Sequence, residues 1–281
     1  MGKLVITHGC SFTKYKWDTW PKFLSWFDQD TDIKNYGQSA SGNETIARGV
    51  VNSVLKHKNI HKMYIMWSSS DRYEVVRDKE EKLDHELATY SRFDPDFNWC
   101  VWFGGHPDKK KHIEYQKHFL NEGHGWFRTL EKILYTQMFL DKHNIDYTMM
   151  IFKVDVLKHE NLSNAERALY KQIDWTKFKF YKDKLGLWEF AHELYPEQFA
   201  EESDQHPLPF THYKCVTCIL YPILHHVLCL LFSNNIHILQ VFVRFAFVFV
   251  VLFFVLYCVL QTDLFLFPLD QLRVAMGDDN L

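Results

Sequence analysis

The sequence predicts an α/β fold of three layers, in which a mostly parallel sheet lies between two layers of helices. Short apolar runs, of which Leu4 to Ile6 is the first, alternate along the chain with stretches of helical spacing. Three successive runs end in loops of small and polar residues, and two of these loops lead into helical patterns. This order is typical of βαβ units, whose strands run parallel.

The elements of the N-terminal half follow in order. Strands are predicted over Lys3 to His8, Ile33 to Tyr36 and Met63 to Trp67. Asp18 to Pro21 has the composition of a helix start, with a capping side chain and a proline in the first turn. A second helix is predicted to begin near Glu44, after the small-residue loop that follows the second strand.

The second half is less regular. Residues 77–125 are long for a connection, which indicates either a lid over a binding site or ordinary helices that cover the sheet. An amphipathic helix is predicted from Trp126 to His143, a strand from Tyr147 to Phe152 and a closing helix from Thr211 to Leu224. The side chains that this amphipathic helix should turn inward are Leu130, Ile133, Leu134 and Met138.

Composition narrows the classes of partner and cofactor. With 32 basic and 35 acidic residues the net charge is -3, which argues against nucleic acid as the main partner. Six cysteines are scattered without a regular framework and are expected to be reduced. Cys215 and Cys218 form a single pair without a second pair, and no phosphate-binding glycine motif follows a strand, so no metal or cofactor is predicted.

The C-terminal segment differs in composition from the rest. Residues 241–260 are a run of twenty with only Arg244 charged, about the length that spans a bilayer. We therefore predict two parts, a domain over 1–228 and a hydrophobic tail over 229–281, with possible membrane association through 236–260. The alternatives are a buried β-rich segment or an extension that is not native to the domain. No secretory signal is visible, so a cytoplasmic or membrane-anchored protein is expected.

Two short motifs carry the chemistry. Gly9-Cys10-Ser11 leaves a serine hydroxyl at the carboxyl end of the first strand, where open α/β sheets bind ligands. Far along the chain, Asp204 and His206 precede a proline. A serine at such a position becomes a nucleophile if a base and an oxyanion hole meet it. Each feature alone also fits an ordinary loop serine or a surface histidine.

In their order along the chain, these motifs resemble those of the SGNH (GDSL-type) hydrolase family, over residues 3–228. The resemblance implies a flavodoxin-like α/β/α domain in which Ser11 is the nucleophile and His206 the general base. Asp204 orients the histidine, or this role passes to the backbone. It also implies an oxyanion hole, for which we favour the Gly42 N–H and Asn43, with the Ser11 N–H as a further donor and Ser70 as a helper. The Ala40 N–H is the competing alignment for Gly42.

The sequence departs from the family pattern in three places. Cys10 stands where the first block usually has Asp, and Asp204 lies two residues before His206 where the family usually has three. Ser70 stands where the third block usually has Asn. A hydroxyl is a weaker oxyanion donor than an amide, and the loss of one donor can cost about 10²–10³ in rate.

The resemblance therefore implies a serine hydrolase that cleaves a small-molecule or glycan ester through an acyl-enzyme on Ser11. A catalytically weak or inactive module that binds a glycan or a protein partner is the alternative, favoured by the missing asparagine. A nucleotide-binding protein is the weaker third class.

Overall fold

The computed structural model describes residues 2–27, 30–39, 41–77, 98–102, 114, 117, 122–154, 162–182, 184–201 and 204–221. The chain divides into two units, Met1–Pro222 and Ile223–Leu281, and all of these residues belong to the first. The predicted tail over 229–281 and its segment 236–260 lie outside the described residues. No helix within the described part of the chain is both long and apolar enough to cross a bilayer.

Within the described ranges, eight strands form one parallel sheet and two antiparallel pairs. In the sheet, β2, β1, β3 and β6 lie side by side in that order and all run parallel. The pair β4–β5 and the pair β7–β8 are antiparallel. The strands are β1 (Lys3–His8), β2 (Thr31–Asn35), β3 (Ile60–Trp67), β4 (Tyr73–Arg77), β5 (Asn98–Trp102), β6 (Asp146–Ile151), β7 (Phe199–Glu201) and β8 (Asp204–Pro207).

Helices lie on both faces of the sheet. One apolar cluster joins α2, α3 and α4 to the sheet, and another joins α1, α5 and α6. The helices are α1 (Trp20–Phe27), α2 (Asn43–Lys56), α3 (Glu122–Lys142), α4 (Asn164–Gln172), α5 (Leu187–Leu194) and α6 (Pro209–Cys215), with a 3₁₀ turn at Trp175–Lys177 and a π-helical turn at Val216–Leu220.

The alternation of side chains along the strands produces these layers. In β3, Ile65 belongs to the cluster on the α2 side, and the next residue, Met66, belongs to the cluster on the α1 side. Met149 and Met150 of β6 divide in the same way. Because successive strand residues point to opposite faces, the central strands are apolar on both sides. The predicted α/β class, with a mostly parallel sheet flanked by helices, is confirmed.

One predicted core position was wrong. Met138 is 60% exposed, whereas Leu130 and Ile133 on the same helix are buried as predicted. The inward position one residue earlier belongs to Gln137, whose side chain accepts from the Asp174 N–H at 2.9 Å and donates to the Asp174 carbonyl at 2.9 Å. Because a polar residue occupies this position on the inner face of α3, the apolar pattern in the sequence pointed to the next residue, Met138, instead.

An antiparallel pair of strands that the sequence did not reveal begins just before residues 77–125 and ends within them. β4 and β5 pair antiparallel, with Tyr73 opposite Trp102 and Arg77 opposite Asn98. Residues 78–97 and 103–113 lie outside the described residues, so the lid remains an expectation. The closing helix begins earlier than predicted, at Pro209, and its described portion continues as a π-helical turn to Leu220.

Candidate active site

A tight turn presents Ser11 at the carboxyl end of β1. The Cys10 carbonyl accepts hydrogen bonds from Thr13 N–H at 2.9 Å and Lys14 N–H at 3.2 Å, which close the turn around Ser11. A Cβ added to Gly9 would lie 2.0 Å from Thr13 Oγ1 and 2.9 Å from Thr13 Cβ, so Thr13 would have to move. Glycine lets the chain leave the strand and form the turn without this displacement.

Ser11 meets a histidine from the far end of the domain. His206 Nε2 lies 2.7 Å from Ser11 Oγ, a short hydrogen bond between residues 195 positions apart in the sequence. Ser11 is buried, and His206 is half-buried on β8. A serine bonded to an imidazole at the carboxyl edge of a parallel sheet has the arrangement that a nucleophile and its general base need.

Asp204, the third predicted catalytic residue, lies in the same strand as His206. Strand β8 pairs with β7, with Glu201 opposite Asp204 and Phe199 opposite Pro207. The side chain of Asp204 is outside the described part of the structure, and its orienting role stays a prediction. The segment that follows β1 also holds this strand, because Trp17 Nε1–H donates to the Pro207 carbonyl at 2.9 Å.

The Gly42 N–H, a predicted oxyanion donor, is bonded to a carboxylate of the protein itself. It donates to Glu74 Oε1 at 2.8 Å, and Arg48 donates to Glu74 Oε2 at 2.9 Å. The Glu74 side chain is fully enclosed, and burial raises its pKa although the Arg48 charge acts in the opposite direction. In this arrangement the Gly42 N–H is not available to a substrate.

Asn43, the predicted amide donor, connects three elements. Its Oδ1 accepts from Ser68 N–H at 2.7 Å, and its Nδ2 donates to the Ser68 carbonyl and to Thr129 Oγ1, each at 3.0 Å. Both amide hydrogens are therefore used within the protein. The residue does not cap α2, since Gly42 is the N-cap and Asn43 is the first residue of the helix.

Two predicted donors are left without acceptors in the described part of the chain. Neither the Ser11 N–H nor the Ser70 hydroxyl is hydrogen-bonded to a described residue. Ser70 follows β3, is buried, and lines a small cavity together with Asn43. Ala40, the competing position for Gly42, lies outside the described residues.

The loops that carry these groups are tied to one another at the carboxyl edge of the sheet. Gln38 N–H, after β2, donates to the Gly9 carbonyl, after β1, at 2.9 Å. The bonds between Asn43 and Ser68 join the loop before α2 to the loop after β3. In the order β2-β1-β3-β6, the point where the strand order reverses lies between β1 and β3, and open α/β sheets bind ligands at such a point.

The chain contains a second serine–histidine pair that the sequence did not reveal. His8 Nε2 lies 3.0 Å from Ser53 Oγ, and burial lowers the pKa of His8 to about 3. Ser53 lies inside α2, where the backbone N–H groups are used by the helix and cannot form an oxyanion hole. We interpret this pair as a buried histidine whose ring nitrogen is hydrogen-bonded within the core. The pair serves below as a control.

Sequence reasoning also missed Glu74, because its contact with Gly42 joins residues 32 positions apart and no pattern marks it. No group of three or more His, Cys, Asp or Glu residues in the described ranges could hold a metal ion.

Comparisons with known proteins add little to this geometry. No family model matches the chain, and no curated protein matches it. Among solved structures, the chain is similar to the crystal structure of a member of the lipolytic protein G-D-S-L family from Veillonella parvula DSM 2008. The two sequences are 9% identical, the match covers 76% of this chain and 97% of that chain, and the TM-score is 0.38. At this level the likeness carries no conclusion about chemistry.

Proposed function

We propose that this protein is a serine hydrolase that cleaves an acyl or O-acetyl ester through an acyl-enzyme on Ser11. The observation that carries the proposal is the 2.7 Å hydrogen bond between Ser11 Oγ and His206 Nε2. His206 takes the hydroxyl proton as Ser11 attacks the ester carbonyl, then gives that proton to the leaving alcohol. In deacylation, His206 removes a proton from water as the water oxygen attacks the acyl carbonyl. The bond between the acyl carbon and Ser11 Oγ then breaks, and His206 returns the proton to Oγ as the acid is released.

The oxyanion that forms during attack needs hydrogen-bond donors. Of the four predicted donors, the Ser11 N–H and the Ser70 hydroxyl have no described acceptor, and these two fit the role best. The Gly42 N–H becomes a third donor only when Glu74 leaves it. A hole with two donors, one of them a hydroxyl, supports slow turnover.

The second candidate function is a module that binds an ester, a glycan or a protein partner without turning it over. The observation that favours it is the internal use of the Gly42 N–H and of both Asn43 amide hydrogens. A protein whose site cannot stabilise the oxyanion still binds its ligand in the pocket but does not accelerate hydrolysis.

Labelling with a fluorophosphonate probe, which reacts with activated serines, separates the two functions. The full-length chain is expected to be labelled, Ser11→Ala to be unlabelled, and His206→Gln to react about 10²–10⁴ times more slowly. Ser53→Ala, which removes the serine hydroxyl bonded to His8, is the matched control and should react at the wild-type rate.

Circular dichroism spectra establish that each variant is folded. Absence of labelling in the folded wild type would favour the binding module, and labelling that survives Ser11→Ala would refute the assignment of the nucleophile.

A further inference from the structure

The loop that follows Ser11 also packs against the histidine that Ser11 contacts. The ring of Tyr15 stacks on the His206 imidazole with the centroids 4.0 Å apart and the planes 11° from parallel. Phe12 lies against the same imidazole at 5.2 Å and an interplanar angle of 42°. Trp17 packs edge-on against Tyr15 at 4.7 Å and binds the backbone of β8 at Pro207.

We propose that Tyr15 is a positioning residue, which holds the His206 imidazole in the plane that directs Nε2 at Ser11 Oγ; this rests on the proposed function. The hydrogen bond to Ser11 fixes the position of Nε2, whereas the rings packed on the imidazole act on the orientation of its plane. A nearly parallel aromatic ring at 4.0 Å opposes tilting of the imidazole, because tilting either ring separates the stacked faces.

Tyr15 lies only four residues after Ser11 in the sequence, which links its contact with His206 to the position of the serine. Ser11 and Tyr15 belong to one short segment whose turn is closed by the Cys10 carbonyl. The same segment therefore supplies the nucleophile and the surface that orients its base.

Other charged or titratable groups lie near this stack. Lys16 Nζ is 5.5 Å from the Tyr15 ring and 4.9 Å from the Trp17 ring, and the buried His212 of α6 interacts electrostatically with His206. Substitution of Tyr15 removes neither of these charged or titratable groups. Replacement of the Tyr15 ring by an aliphatic side chain therefore tests the stack rather than the surrounding charge.

The first test compares kinetic constants of full-length variants on p-nitrophenyl acetate. Tyr15→Leu, and Tyr15→Met as a second aliphatic variant, should lower kcat about 10–100-fold with KM nearly unchanged, because misplacing a catalytic group by about 1 Å can cost about 10² in rate. Tyr15→Phe keeps the ring and should keep kcat. Tyr135→Leu, at an exposed tyrosine on α3, is the matched control and should have no effect.

The second test is independent of turnover. The imidazole proton signals of His206, identified by their absence in His206→Gln, should lie upfield because of the Tyr15 ring current. They should move downfield in the aliphatic variants and stay in Tyr15→Phe.

An unchanged kcat in both aliphatic variants, or a loss of kcat in Tyr15→Phe as large as theirs, would overturn the positioning role while the hydrolase stands. Unchanged imidazole signals in the aliphatic variants would overturn the stack itself. A wild type that is inactive and unlabelled by the fluorophosphonate probe would refute the proposed function, and with it any role of Tyr15 in catalysis.

Discussion

Two enclosed histidines should make the folded chain sensitive to acid. Burial lowers the pKa of His8 from 6.5 to about 3, and burial, helped by the neighbouring His206, does the same for His212. Below pH 6.5 the unfolded chain takes up protons at these two positions that the folded chain does not. Folding stability is therefore lost as the pH falls from about 6.5 towards 3.

The size of the effect follows from the pKa values. Each histidine costs about 1.4 kcal/mol for every pH unit below 6.5, which gives about 2 kcal/mol at pH 5 and about 4 kcal/mol for the pair. Domains of this kind have about 5–15 kcal/mol in total. Glu74 acts in the opposite direction, since burial raises its pKa and lowering the pH through that raised value favours the folded state.

Urea unfolding of the full-length chain at pH 7, 6 and 5 measures this loss. Because Glu74 and other carboxyls contribute, the comparison that isolates the histidines is between the wild type and the variants His8→Gln and His212→Gln. Each variant should lose about 2 kcal/mol less than the wild type between pH 7 and pH 5. Variants with the same pH dependence as the wild type would refute the reasoning.

Three further substitutions test the site. Asn43→Ala removes three buried hydrogen bonds and should lower the free energy of unfolding by about 2–4 kcal/mol in urea titrations. An unchanged midpoint of urea unfolding would contradict the role of Asn43 in joining the loop after β3 and α3 to α2. Gly9→Ala places a Cβ against Thr13 and should slow probe labelling of the nucleophile at least about tenfold; a wild-type rate would show that the turn tolerates a side chain. Glu74→Ala frees the Gly42 N–H and should raise the acylation rate by up to about 10²-fold; no increase would remove Gly42 from the oxyanion hole.

The sheet could be predicted because its strands are marked by local pattern. Strand β1 has the predicted bounds, and the apolar runs of β3 and β6 lie where expected. The bounds of the other strands are set by pairing rather than by apolarity. Thr31 and Asp32 belong to β2 because they lie opposite Lys3 and Leu4, and β3 extends back to Ile60 because it pairs with the start of β1.

The state of the oxyanion donors could not be predicted. The bonds of Asn43 reach residues 25 and 86 positions away, and nothing in the neighbouring sequence indicates that its amide is used. The stack of Tyr15 on His206 joins residues that are farther apart still in sequence. Sequence motifs identify the types of group that gather at one edge of the sheet, whereas the distribution of their hydrogen bonds depends on packing between distant segments.

The most direct test of the central claim is to trap the acyl-enzyme. The full-length chain is mixed with p-nitrophenyl acetate, and the reaction is quenched in acid within the first turnover. The protein is then digested, and the mass of the peptide that contains Ser11 is measured by mass spectrometry. The account predicts that this peptide gains the mass of one acetyl group in the wild type, and that the gain disappears in Ser11→Ala and is strongly reduced in His206→Gln. Release of p-nitrophenol with no acetyl group on Ser11, or acetylation that persists in His206→Gln at the wild-type rate, would contradict it.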